Sequence, residues 1–117
     1  MKLAPILLAV VAAPVLDGPV RPECDALTEF AADPAAREIQ RPFAAFRIDR
    51  AGLCDILASY HEVSADQWRH QYSHVAFADR TGTVTLHDGR VLVWMARPGG
   101  LATLTYPDGA VLYLARE

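Results

Sequence analysis

Residues 83–115 read TVTLHDGRVLVWMARPGGLATLTYPDGAVLYLA, and this stretch decides the fold. On both sides of Asp88-Gly89 and Asp108-Gly109, apolar residues recur with a period of two, which marks strands and not helix. Asp-Gly supplies the positive φ of a tight hairpin. Pro107-Asp108-Gly109 favours a type I turn with glycine in the left-handed bulge position, and Pro98-Gly99-Gly100 joins the two hairpins. Just upstream, Val75 and Phe77 alternate with His74, Ala76 and Ala78, and Asp79-Arg80-Thr81-Gly82 turns into the next strand. The spacing predicts a five-stranded antiparallel meander over 72–78, 82–87, 90–96, 101–106 and 110–115. The hairpins match at an offset of twenty, Thr83 with Thr103 and Val91 with Val111, a likeness that hairpin composition explains nearly as well as duplication does.

The residues before the meander read as helix. Cys24, Leu27, Phe30 and Ala31 recur at helical spacing, which predicts a short helix with Cys24 on its buried side. Asp33-Pro34 has the form of a helix start for residues 35–40, and alternation over 43–48 fits a short strand. Leu53, Ile56, Leu57 and Tyr60 fall at i, i+3, i+4 and i+7, the apolar stripe of a helix beginning near Asp49. Ser64 with Gln67 three residues later forms a capping box for a second short helix that carries Trp68 and runs to about His70. The expected fold is α+β, with short N-terminal helices packed on the meander and one disulfide.

Residues 1–20, MKLAPILLAVVAAPVLDGPV, place one lysine before an apolar run that ends in small residues and a turn. That is the layout of a secretory signal peptide and leader, and the run over 3–16 is shorter than the roughly 20 apolar residues a span needs. The expectation is a signal peptide and leader over 1–20, of which the signal is cleaved, one domain over 21–117, a periplasmic or secreted location and no stable membrane span after processing. Cleavage after Ala12 fits loosely, and the residues before Cys24 do not suit acylation.

Two cysteines in an exported chain predict a bond between Cys24 and Cys54. Closing a loop of about 30 residues contributes roughly 3.5 kcal/mol in the chain-entropy picture. The formal net charge is −3, and Lys2 is the only lysine, so the mature chain is an acidic one whose cations are all arginine. With no basic cluster, nucleic acid is not an expected partner; another extracytoplasmic protein is.

Residues that carry chemistry are sparse. His70 and His74 have the i, i+4 spacing that suits zinc, with His61 or Glu62 as a third donor, but the predicted helix ends between the two histidines. Neither Gly-x-Ser-x-Gly nor a glycine-rich phosphate loop occurs, so no catalytic residue, metal or cofactor is assigned. A two-residue Asp88-Gly89 turn pairs Leu86 with Val91 and Val84 with Val93, leaving Leu92, Trp94, Thr83 and Thr85 on the other face. Trp94, Tyr113, Leu92 and Thr83 are therefore the candidate binding residues, on a face that is either open or covered by 34–48. The expectation is a non-catalytic binding or accessory protein acting through this sheet face or the hairpin tips. The alternative is an envelope metal-binding protein or hydrolase using His70, His74 and nearby acids.

Overall fold

In a computed structural model, which describes residues 19–34, 45–71 and 79–116, the protein is an α+β fold around one antiparallel sheet. After a 3-10 turn at Cys24–Ala26, the elements in chain order are β1 (Leu27–Ala32), α1 (Arg50–Ser59), β2 (His61–Val63) and α2 (Ala65–Gln71). The strands β3 (Arg80–Leu86), β4 (Val91–Arg97), β5 (Leu101–Thr105) and β6 (Val111–Ala115) complete it. The sheet has six strands in the order β1-β3-β4-β5-β6-β2. Four of them are the expected meander; the strand expected at 72–78 lies outside the described residues. Beside β3 stands β1.

β1 corrects the helix expected from Cys24. Leu27 pairs with Leu86 and Glu29 with Thr85, so the register shifts at Thr28. That bulge places Leu27 and Phe30, three residues apart, on the same face of a strand, a spacing that otherwise belongs to a helix. Cys24 itself is exposed on the 3-10 turn. The helix expected over 35–40 lies outside the described residues. Of the strand expected at 43–48, residues 45–48 are not extended ladder; Phe46 and Ile48 instead lean on the core.

α1 follows its stripe. The Asp49 carboxylate accepts from Gly52 N at 2.8 Å as the N-cap. Leu53, Ile56 and Leu57 are buried against Leu27, Val84, Leu92, Trp94, Leu104 and Leu112, which form the main core on one face of the sheet. Arg21, at the start of the domain, donates to the carbonyls of Leu57 and Tyr60 at 3.1 and 2.7 Å, supplying the C-terminal end of α1 with donors. The Cys24–Cys54 disulfide, with Cα atoms 5.1 Å apart, fixes the same segment to α1. On the opposite face α2, opened by Ser64 Oγ accepting from Gln67 N at 3.0 Å, lays Trp68 over Leu101 and Ala115.

Both hairpins have three-residue loops. Leu86 N donates to Arg90 O and Gly89 N to Leu86 O, each at 2.9 Å; Tyr106, Gly109 and Ala110 repeat the pattern. Gly89 and Gly109 take φ of 91° and 92°, the left-handed bulge position. Pro107-Asp108-Gly109 was expected to do this, whereas Asp88-Gly89 was expected to form a two-residue turn. The extra residue makes Val84 face Leu92 and Thr83 face Val93. In a strand of period two, that single step exchanges the faces of every side chain on β4 relative to β3.

Candidate binding surface

That register step relocates half of the expected site. Leu92 and Trp94 lie on the helix side of the sheet at 0% and 1% exposure, inside the main core. Trp94 stacks on Phe30 with ring centroids 5.3 Å apart and donates its indole N–H to the Ala31 carbonyl at 3.2 Å. Thr83 and Tyr113 lie on the opposite side, so the four residues do not share a face. Tyr113 packs against Trp68, centroids 5.7 Å apart, beneath α2.

The side away from α1 is covered at one end and open at the other. At the covered end Trp68, Leu101 and Ala115 form a small second core, with Val63, Met95 and Tyr113 at its margin. Arg97 closes it: its guanidinium lies 4.9 Å from the centre of the Trp68 ring and makes two bonds to the Asp79 carboxylate, at 2.7 and 3.0 Å. Toward the hairpin tips no helix among the described residues covers the sheet. Ala31, Thr83, Val93, Thr105 and Val111 stand in one row across five strands, and Glu29, Thr85 and Val91 form the next row. Neighbouring strands are about 4.8 Å apart, so the five-residue row spans roughly 19 Å. Val91 and Val93 are 49% and 48% exposed, in a field of half-buried threonines. Sequence reading missed both valines; the signal that exposes them is the loop type at Asp88-Gly89.

The rim is polar. Asp88 accepts from Arg90 N at 3.0 Å and pairs with the Arg90 guanidinium at 2.9 Å; the backbone donor, ahead of the guanidinium, holds the Asp88 carboxyl below its ordinary pKa. On the helix side of the tips a groove of about 520 Å³ is lined by Val20, Arg90, Tyr106, Pro107, Asp108 and Ala110. The Tyr106 hydroxyl donates to the Val20 carbonyl at 2.5 Å, and burial pushes its pKa up. Arg90 lies over the same ring at 5.6 Å.

The remaining histidines do not converge. His61 and His70 are exposed on β2 and α2, His87 Nε2 donates to the Asp25 carbonyl at 2.8 Å, and His74 lies outside the described residues. Among the described residues no three His, Cys, Asp or Glu side chains group as metal ligands, and no helix is long and apolar enough to cross a membrane. What the surface offers chemically is contact: methyl groups and hydroxyls held in rank on a rigid sheet. No protein-family profile, curated protein or solved structure matches this chain.

Proposed function

We propose that this is a small exported binding or accessory protein, without catalytic chemistry of its own, that meets a partner protein through the open end of its sheet face and the adjoining hairpin tips. The observation that carries the reading is the pair Val91 and Val93, both about half exposed among the threonines and valines that β3 to β6 turn to this side. Apolar groups left in water at the centre of a rigid patch and ringed by polar groups are the usual form of a contact site. Export is supported by the apolar leader and by the Cys24–Cys54 bond, a cross-link that persists in oxidising compartments.

A photo-crosslinking side chain placed at Val93 in the producing cell tests it. The expected result is a discrete adduct that Val91→Glu in the same chain abolishes, with no adduct from the same group at Ser59, on the exposed side of α1. Equal labelling from Val93 and Ser59 would overturn the reading.

A further inference from the structure

A second surface offers main-chain groups instead of side chains. Asp33 N donates to Thr81 O at 2.8 Å, which makes 33 with 81 and 31 with 83 the hydrogen-bonded pairs of the β1–β3 ladder. The pairs 30 with 84 and 32 with 82 are then the non-bonded ones. The N–H and C=O groups of Phe30 and Ala32 therefore point out of the sheet, and among the described residues no strand lies on that side. β1 is correspondingly open: Thr28, Glu29, Ala31 and Ala32 are exposed, and Phe30 is half-buried. The bulge at Thr28 and the imide of Pro34 bound this straight stretch at either end.

The side chains along the edge specify what fits it. Glu29, Ala31 and Asp33 lie on the side of Thr85, Thr83 and Thr81, so two carboxylates flank one methyl group. The residues from Pro22 to Pro34 include four acids, Glu23, Asp25, Glu29 and Asp33, and no Lys or Arg. Phe30 and Ala32 lie on the helix side, where Phe30 extends the Trp94 stack. On that helix side Arg47 and Arg80 line a groove beyond Asp33, and at the other end of the strand Arg50 donates to the Leu27 carbonyl at 2.7 Å. A second copy is the wrong occupant. Antiparallel pairing of β1 with itself about Ala31 sets Glu29 against Asp33 twice, and like charges directly opposite destabilise a ladder.

We propose that the outer edge of β1 receives an extended segment of a partner protein as a seventh strand, with basic side chains at positions i and i+4 bracketing apolar ones at i+1 and i+3. The basic pair meets Glu29 and Asp33, the apolar pair continues the Phe30 side, and the main chain bonds to Phe30 and Ala32. This is β-addition, in which main-chain bonds give affinity and alternate side chains give selectivity. It uses the strand edge and neither Val91 nor Val93, although Glu29 and Ala31 begin the rows in which those valines stand.

The test uses the disulfide-bonded chain, labelled with nitrogen-15, and the peptide acetyl-Gly-Arg-Val-Thr-Val-Arg-Gly-amide at millimolar concentration. In the free protein the Phe30 and Ala32 amides should exchange with solvent much faster than those of β4, and the peptide should slow both. The peptide with Glu for both Arg should bind about tenfold more weakly, Glu29→Lys should narrow that gap, and N-methylation of the two valine amides should abolish binding. Amides of Phe30 and Ala32 already as protected as those of β4 would show the edge to be covered by the chain itself and overturn the proposal. Equal binding by the N-methylated peptide, or no effect of the peptide on β1, would overturn it as well. None of these results depends on crosslinking at Val93.

Discussion

Trp94 lies against the bare backbone of Gly82, directly across the ladder: a Cβ on Gly82 would stand 2.5 Å from indole Cζ2 and would collide with the Ala31 carbonyl oxygen. Neither neighbour can retreat. The indole stacks on Phe30 and donates to that same carbonyl, and the carbonyl belongs to the backbone of β1.

Gly82→Ala should therefore destabilise the fold by about 2 kcal/mol or more, although alanine suits a strand better than glycine does. Urea unfolding followed by tryptophan fluorescence measures it. A change below about 0.5 kcal/mol would mean that the indole does not lie over Gly82.

The register of β4 has a two-mutant test. Leu92→Ala should cost about 2–5 kcal/mol because it opens a cavity in the core, whereas Val93→Thr should stay within about 0.5 kcal/mol. A two-residue loop at Asp88-Gly89 predicts the reverse order, so the pair decides between the two loops.

Removal of the disulfide, by Cys24→Ser with Cys54→Ser, should cost about 3.5 kcal/mol for its separation of 30 residues. Comparison of midpoints for the bonded chain and the double variant measures this. Because Cys24 is exposed, a mild reductant added to the folded protein should reproduce the loss without prior unfolding.

Burial raises the Tyr106 pKa above its ordinary value, so the folded state holds the phenol proton more tightly than the unfolded chain does. The stabilisation is fully present below the unfolded pKa of about 10 and is lost as pH rises through the folded one. Ionisation also removes the proton donated to Val20. Melting temperature should fall above about pH 10 in the parent and fall less steeply in Tyr106→Phe, which at pH 7 should cost about 1 kcal/mol for the lost bond.

α1 and the hairpins were legible because their signals are local: an apolar stripe behind an Asp N-cap, and Asp-Gly between alternating runs. β1 was hidden by its own bulge, which gives Leu27 and Phe30 the spacing of a helix face. β2 has three residues and exists through its pairing with β6, a partner that no short-range pattern names. Trp94 and Leu92 were assigned to the wrong face by a single loop residue, the difference between a two-residue turn and the bulged turn that Gly89 makes. Thr83 and Tyr113 were placed on one side correctly. The valines between the threonines needed the true register.

The position of β1 also sets an order of events. The hairpins of β3 to β6 close over three-residue loops, on a timescale of microseconds, but Thr28 bonds to Thr85 across 57 residues. A chain emerging from its N-terminus presents β1, and then Cys54, long before β3 exists to receive it. If oxidation couples Cys24 to Cys54 in that interval, β1 waits beside α1, already tethered to the helix it will share a core with. The covalent bond then shortens the search that would otherwise be the slowest contact to form.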